Sequence, residues 1–408
     1  MMCPCDMVIV FLAGACVAAA AVVCLEKLPQ ILRRLRRPRF AWKQFGRDAW
    51  QAQRDVLLCQ LRSGCGVPVP RYPGTSQIEM SLAKMSLKRS PMDWWWSLAA
   101  YAALDAGTRQ ADAQARDGAL NHLGRLVDSQ GSLIQVPELP EHCLAGEVFL
   151  QAFKTTGDAK YRAAAEQVVR RLLAWPRSPS GLVPYLPGKP KVLLVDTLGM
   201  ICPLLAAWGR ETGDASATEL AVRQLEDFIE AACPRPQVLP AHAHEDGTKT
   251  ALGVIGWARG CGWFALGLVG VLEQLPAQLP AAQRLRDALS AFAASMRASQ
   301  AESGCWRWAV SDPYAAEDAS GTAMVGLALA RAVDGGLLAH EFRAVAENAA
   351  RGVAGVTDSG GVVWQCQGNT FWIGLYAHEF LPALWGQAAA VALGTRLLPE
   401  VRAGSRGA

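Results

Sequence analysis

The amino-acid sequence predicts an all-α protein, an (α/α)6 toroid in which six helical hairpins close into a ring. Two observations support this prediction. Hydrophobic residues make up 51% of the 408 residues, and Ala and Leu recur throughout, which favours a buried helical core. Segments with helical periodicity also repeat about every 50 to 60 residues, a spacing typical of helical arrays.

The repeat is clearest in two copies of Thr-Gly-Asp-Ala, which begin at Thr156 and Thr212, with a looser copy around Gly107. In each copy we expect an apolar helix to end at a glycine turn and an amphipathic helix to follow. Residues 89–393 have room for about six such hairpins, and six that close would line a central funnel with their inner helices. The few short strand-like segments suit loops at the mouth of this funnel.

The N-terminal part has a different pattern, which predicts one transmembrane helix. Met7–Leu25 is uncharged and apolar, long enough to cross a bilayer, and arginines cluster after it at 33–39. A cleaved signal peptide carries its positive charge before the apolar run, and it remains the alternative. The arginines predict a single-pass protein of the inner membrane with its body in the cytoplasm.

These patterns predict four regions along the chain. We expect a membrane anchor at 1–28, a basic juxtamembrane and linker region at 29–88, the toroid at 89–398, and a C-terminal tail at 399–408.

Charge and cysteine content exclude several kinds of partner and site. The net charge is +4, and after residue 50 basic and acidic residues are interspersed, so we expect no nucleic-acid partner. The twelve cysteines are scattered without metal-ligand spacing, which indicates free thiols in a reducing compartment. We expect neither a metal nor a cofactor.

Asp196 is the first candidate catalytic residue. Four apolar residues precede it and an apolar helix follows, so its carboxylate would be desolvated unless it is paired. Burial would raise its pKa toward a range that suits acid catalysis. Alternatively, Asp196 is only the N-cap of a helix at 197–205.

The order of four segments resembles glycoside hydrolase families 88 and 105, the unsaturated glucuronyl and rhamnogalacturonyl hydrolases. The segments are HCLAGEVFLQAFKTTGDAKY, VDTLGMICPLLAAW, WARGCGW and WRWAVSDPYAAEDASGTAM, and the resemblance covers roughly residues 90–395. It implies an (α/α)6 barrel. It also implies a substrate that is a short oligosaccharide ending in a 4,5-unsaturated uronic acid, whose vinyl ether is hydrated.

The resemblance also implies roles for two carboxylates. Asp196 would be the acid/base that protonates C4 and then helps water to attack C5. Glu141 occupies the position of a second carboxylate that is usually Asp in these families. Alternatively, Glu141 is a solvated carboxylate that begins a helix.

Five residues are predicted to bind substrate. Arg259 and Trp263, four residues apart, match family residues that face the terminal sugar, so Arg259 would hold the uronate carboxylate and Trp263 would stack on the ring. Trp95 and Trp257 lie at hairpin starts near the same funnel mouth. The family has a histidine before the arginine motif, and His244 matches better than His242. Core packing is the alternative for each tryptophan, and solvent exposure for each histidine.

Together these observations predict a membrane-anchored glycoside hydrolase that removes a uronic acid from a short glycan. The alternative is a catalytically inactive glycan-binding or scaffolding member of the same fold.

Overall fold

The computed structural model describes residues 42, 44–63 and 90–401. Twelve α-helices and five short strands lie in this part of the chain, and the mostly helical prediction is confirmed. The helices are α1 (Arg47–Ser63), α2 (Trp94–Arg109), α3 (Ala113–Leu123), α4 (Leu144–Thr156), α5 (Ala159–Leu173), α6 (Val195–Thr212), α7 (Ala215–Ala232), α8 (Ala258–Leu272), α9 (Pro280–Ser299), α10 (Ala319–Asp334), α11 (Phe342–Gly355) and α12 (Leu384–Leu397). The strands are β1 (Val192–Leu194), β2 (Ala241–Glu245), β3 (Thr250–Ile255), β4 (Cys366–Gln367) and β5 (Phe380–Leu381).

The even-numbered helices form a closed inner ring. Helices α2, α4, α6, α8, α10 and α12 each pack against the next, and α12 packs against α2. Every residue of α8 is buried, whereas α7 and α11 bury one face. A helix that is apolar all round needs neighbours on every side, and an amphipathic helix needs only one. The sequence pattern therefore separates inner from outer helices.

The sixth outer helix comes from an unexpected place. Helix α1 lies inside the region predicted as a linker at 29–88, but it packs against α12. The indole Nε1 of Trp50 donates to the carbonyl oxygen of Val391 at 3.1 Å and to Thr395 Oγ1 at 3.1 Å. The prediction that all six hairpins lie within 89–393 is corrected: α12 takes its outer partner from the other end of the chain.

The Thr-Gly-Asp repeat forms the tight turns of two hairpins. Helix α4 is followed by Gly157 at φ 71°, and α6 is followed by Gly213 at φ 77°, a left-handed conformation that suits glycine. Asp158 and Asp214 then cap α5 and α7 through their side chains. Around Gly107 the prediction is corrected, because this glycine lies inside α2.

A small antiparallel sheet, ordered β1–β2–β3, lies where two inner helices begin. Strand β1 runs directly into α6, and β3 ends shortly before α8. Of the two strand-like segments in the sequence, 360–366 contributes a residue to β4, while 181–186 contains no strand. Within the described ranges no helix is long and apolar enough to cross a membrane, and the predicted anchor at Met7–Leu25 lies outside those ranges.

Candidate active site

Asp196 lies in the first turn of α6, immediately after the sheet. The helix begins at Val195 and its N-cap is Leu194, so the N-cap interpretation of Asp196 is wrong. The Asp196 side chain is 14% exposed, and its Oδ2 lies 3.5 Å from His242 Nε2. Among the described residues this buried oxygen has no hydrogen-bond partner, since 3.5 Å is too long for a normal hydrogen bond. Asp196 is therefore a buried carboxylate that does not serve the helix end.

The histidine near Asp196 is His242. Its Nδ1 lies 2.9 Å from the hydroxyl of Tyr376, and its ring packs 4.6 Å from that of Trp257. His244, the residue favoured by the sequence, is fully buried elsewhere: its Nε2 lies 3.1 Å from Asp227 Oδ2, and its ring packs against Phe228. The prediction of His244 is corrected, since the two histidines are placed beside different helices.

Glu141 lies in the short 3-10 helix Pro140–Cys143 that leads into α4, and its side chain is half-buried at 15% exposure, so it is not a fully solvated carboxylate. The hydroxyl of Tyr185 donates a hydrogen bond to Glu141 Oε2. Burial raises the pKa of Glu141 to about 7, helped by the charges of Asp93 and Asp196 and opposed by Tyr185 and His142. The charge of Asp196 acts on Glu141 and on Tyr185, so the two predicted carboxylates belong to one site.

Asp93, Glu141 and His142 place their ligand atoms within 4.8 Å of one another, close enough to suggest a cation site. The hydrogen bonding argues for a different arrangement. The backbone N–H of Glu138 donates to His142 Nδ1 at 3.2 Å, so a neutral His142 carries its hydrogen on Nε2. That atom faces Asp93 Oδ1 at 3.4 Å, and its hydrogen would repel a cation. These residues fit a histidine–carboxylate pair better than a metal centre.

Sequence reasoning did not select four residues of this site. Two of them lie at predicted helix starts: Asp93 precedes a run of tryptophans, and His142 follows a glutamate. Tyr185 lies in the strand-like segment 181–186. The sequence therefore marks these segments but not the three residues themselves. Tyr376 lies far along the chain, and its sequence context contains no signal that would have found it.

Arg259 makes contacts within the fold that the sequence did not predict. Its side chain is 1% exposed and packs between the rings of Trp257 and Trp385, with Cζ at 4.8 and 5.6 Å from their centroids. The guanidinium donates to the carbonyl oxygens of Gln367 and Gly368 at 3.0 and 3.1 Å, and to Thr370 Oγ1 at 3.1 Å. Arg259 thus holds the segment that follows β4, which we call the β4–β5 loop (368–379).

The predicted tryptophans also divide into core and surface residues. Trp263 and Trp257 are both 1% exposed. Trp263 packs edge-on against Trp94 at 5.4 Å, and Trp257 donates from Nε1 to Gln367 Oε1 at 2.8 Å. The core alternative therefore describes these two residues. Trp95 is half-buried and is the predicted tryptophan whose ring remains partly accessible.

Comparison with known proteins places this geometry in a family. The sequence model of Glycosyl Hydrolase Family 88 matches residues 74–398. None of the curated proteins compared with the chain matches it.

Solved structures with the same fold include a possible member of the GH105 family from Klebsiella pneumoniae subsp. pneumoniae MGH 78578, at a TM-score of 0.73 and 20% identity, covering 86% of this chain and 93% of that one. A family 105 glycoside hydrolase from C. acetobutylicum ATCC 824 has a TM-score of 0.68 at 16% identity, covering 78% and 96%. An unsaturated glucuronyl hydrolase from Bacillus sp. GL1, described as responsible for degradation of glycosaminoglycan, has a TM-score of 0.58 at 16% identity, covering 84% and 96%.

At these identities the structural likeness shows a shared fold. The family model, in contrast, covers most of the sequence, including the segments that contain Asp93, Glu141, Asp196 and His242. The chain therefore belongs to glycosyl hydrolase family 88, as its motifs predicted, and it is a glycoside hydrolase.

Proposed function

We propose that the protein removes a 4,5-unsaturated uronic acid from the end of a short glycan by hydrating its vinyl ether. One observation carries this proposal. Asp196 presents a buried carboxylate oxygen that lacks a hydrogen-bond partner among the described residues, next to His242 and within electrostatic reach of Glu141. An unsatisfied buried carboxylate costs stability, and such a cost is typical of sites that handle protons.

In the proposed reaction Asp196 donates a proton to C4 of the C4=C5 double bond, which leaves positive charge shared between C5 and the ring oxygen. Water then attacks C5 and returns a proton to the Asp196 carboxylate. The resulting hemiketal opens by breaking the bond between C5 and the ring oxygen, and C1 then releases the glycosidic oxygen as an alcohol. One water is consumed, and no displacement occurs at the anomeric carbon, so the carboxylate spacing of ordinary glycosidases does not apply.

Glu141 has a supporting role in this proposal. With a pKa of about 7, it exchanges a proton readily at neutral pH and can relay one to or from the attacking water. Tyr185 holds one of its oxygens, which leaves the other for water or substrate. Glu has a longer side chain than the usual Asp, and the hydrogen bond from the Tyr185 hydroxyl fixes the position of its carboxylate.

Substrate contact falls first to Trp95, which keeps a partly exposed ring for stacking on a sugar. His242 is buried and lies behind this surface, with Nε2 beside Asp196. Arg259 supports the site indirectly, because its donors bind the β4–β5 loop.

The decisive experiment is an assay with unsaturated disaccharides made by polysaccharide lyases. Hydration destroys the conjugated double bond of the substrate, so the ultraviolet absorbance of the reaction mixture falls as turnover proceeds. We expect loss of absorbance with at least one disaccharide, no reaction with the saturated analogue, and no loss with the Asp196→Asn variant. Folded protein that leaves every member of a broad panel unchanged would exclude this activity.

The second candidate is a glycan-binding protein without turnover. The replacement of the usual Asp by Glu141 favours it. Equilibrium binding of an unsaturated disaccharide by the wild-type protein, with no absorbance change over hours, would support this alternative over hydrolysis.

We further propose that Met7–Leu25 anchors the protein in the inner membrane with the toroid in the cytoplasm. The support is the uncharged run followed by the arginine cluster at 33–39. A reporter that functions only in the cytoplasm should be active when it is fused after Ala408, and alkaline phosphatase fused there should be inactive. High phosphatase activity would place the toroid on the other side of the membrane.

A further inference from the structure

We propose that Tyr376 is a positioning residue that holds His242 in one tautomer, with the hydrogen on Nε2, the atom that faces Asp196. The role rests on the proposed function, because it serves the proton transfer assigned to Asp196. The tautomer itself follows from hydrogen bonds and does not depend on the reaction.

The first step concerns the hydroxyl oxygen of Tyr376. The backbone N–H of Val254 donates to this oxygen at 2.9 Å. Burial raises the pKa of Tyr376 to about 12, with the charge of Asp196 acting in the same direction and backbone hydrogen bonds at Val254 and Gly374 opposing it. The hydroxyl therefore keeps its hydrogen at neutral pH while its lone pairs serve backbone donors.

The second step concerns His242. Its Nδ1 lies 2.9 Å from the same hydroxyl. Among the hydrogen bonds of the described residues, His242 Nδ1 is the atom beside the Tyr376 hydroxyl that can accept its hydrogen, because the other neighbour, Val254 N–H, is a donor. A buried hydroxyl hydrogen needs an acceptor, so Nδ1 accepts. A neutral imidazole that accepts at Nδ1 carries its hydrogen on Nε2. That nitrogen lies 3.5 Å from Asp196 Oδ2.

The third step is how the fold delivers Tyr376 to this position. Gly253 in β3 has φ 78°, and a Cβ there would lie 2.7 Å from the Tyr376 hydroxyl, so glycine allows the close approach. Gln367 anchors the start of the β4–β5 loop: its Nε2 donates to the carbonyl oxygen of Ala377 at 3.0 Å, and its backbone N–H donates to Asp318 Oδ1 at 3.0 Å. Arg259 binds the same segment.

This arrangement explains why Trp257 and Arg259 of the WARGCGW segment are buried. Arg259 and Trp257 hold Gln367 and the β4–β5 loop, the loop holds Tyr376, and Tyr376 sets the hydrogen on His242. Nε2 and Asp196 Oδ2 do not form a hydrogen bond in this structure, but the Nε2–H is a donor that the Asp196 carboxylate can engage once it has given up its proton. The opposite tautomer would turn a lone pair toward the carboxylate and repel it.

The tautomer can be read directly by nitrogen NMR. The full-length protein in detergent micelles would carry ¹⁵N in its histidine rings, and its six histidines allow assignment by a His242→Gln variant. We expect long-range ¹H–¹⁵N correlations of wild-type His242 to show Nε2–H with an unprotonated Nδ1. The Tyr376→Phe variant should show both tautomers. A wild-type spectrum with Nδ1–H would overturn the proposal, even if the Phe variant fails to fold.

The kinetic test uses the same variant. Tyr376→Phe should lower kcat roughly 10-fold to 100-fold and leave KM within about twofold, since orientation of a proton-transfer group is lost and binding is not. Tyr314→Phe, which removes a hydroxyl from a tyrosine that is 95% exposed, is the matched control and should match wild type. An unchanged kcat in Tyr376→Phe would refute the positioning role. If wild type turns over no substrate, the proposed function fails, while the NMR spectrum still decides the tautomer.

Discussion

Two histidine–carboxylate pairs share strand β2, and they differ in how completely their charges are balanced. His244 faces Asp227 on α7, and His242 faces Asp196 on α6. Lys249 also binds Asp227, and His244 and Lys249 hold the pKa of Asp227 below its usual range, against the effect of burial. Asp196, in contrast, has His242 beside it and Tyr376 behind His242, and its charge and that of Asp93 both act on Glu141.

The difference teaches that the types of residue in a pair do not reveal its role. In the Asp227 pair, Lys249 supplies a positive charge that balances the carboxylate, as a buried structural ion pair requires. In the Asp196 group, burial and, to a smaller extent, the charges of Asp93 and Asp196 raise the pKa of Glu141, which costs stability when Glu141 is ionised. We therefore assign chemistry to the second group and architecture to the first.

The largest expected effect comes from Asp196→Asn. If Asp196 transfers the proton, turnover should fall roughly 10²-fold to 10⁴-fold, while the midpoint of thermal unfolding stays close to wild type because the shape is preserved. Absorbance assays with an unsaturated disaccharide measure the first quantity, and calorimetry measures the second. Asp227→Asn is the matched control, with turnover unchanged. Equal turnover in the Asp196→Asn variant would remove the distinction between the two pairs.

The second prediction concerns Glu141→Gln and pH. The pKa of Glu141 is higher in the folded protein than its ordinary value of 4.5, so the unfolded chain releases this proton first as pH rises. The wild type should therefore lose about 3 kcal/mol of unfolding free energy between about pH 4.5 and 7.5, which Gln does not lose.

Urea unfolding at several pH values measures this difference. The Gln side chain can still accept the hydrogen bond from Tyr185. The contributions of all other groups to the unfolding free energy should therefore cancel when the two proteins are compared. If wild type and variant show parallel pH dependence, Glu141 has no raised pKa and the carboxylates of this group do not interact as described.

The third prediction extends the comparison to Arg259. Because Arg259 binds loop carbonyl oxygens, Arg259→Lys should lower the unfolding free energy by about 2 kcal/mol through lost hydrogen bonds. Limited proteolysis should then cut the β4–β5 loop faster than in wild type. A variant with wild-type stability and a large rise in KM for uronate substrates would instead restore the carboxylate-binding role predicted from the sequence.

The smallest effect is expected for the stability of Asp227→Asn. Asp227 is partly exposed, so losing its pairing with Lys249 and His244 should cost about 1 kcal/mol at neutral pH. Its lowered pKa means that this contribution is present above about pH 4 and disappears as pH falls through the folded pKa. Chemical unfolding of both proteins at pH 7 and at pH 3 tests this; a difference that grows in acid would contradict it.

Local features of the chain could be predicted from the sequence. The Thr-Gly-Asp turns follow from the glycine conformation and the aspartate cap, which involve neighbours only a few residues apart. The inner and outer helices follow from apolar periodicity, and the family follows from the order of four motifs. Asp196 was predicted because it is a lone carboxylate among apolar residues, and Glu141 because it occupies the place of a second carboxylate in the families that the motifs resemble.

The tertiary structure decided which side chains meet. His242 and His244 are two residues apart on one strand, and only the packing of α6 and α7 against that strand places one beside Asp196 and the other beside Asp227. Tyr376 reaches His242 from a segment 134 residues away.

The same reason explains why the burial of two predicted binding residues was not visible in the sequence. Arg259 and Trp263 have the chemistry of a sugar site, but burial is a property of the assembled ring, where loops and neighbouring helices enclose both side chains. A single sequence determines the types of group and their local geometry. Which of those groups come together, and which charges surround them, depends on long-range packing that the folded chain alone defines.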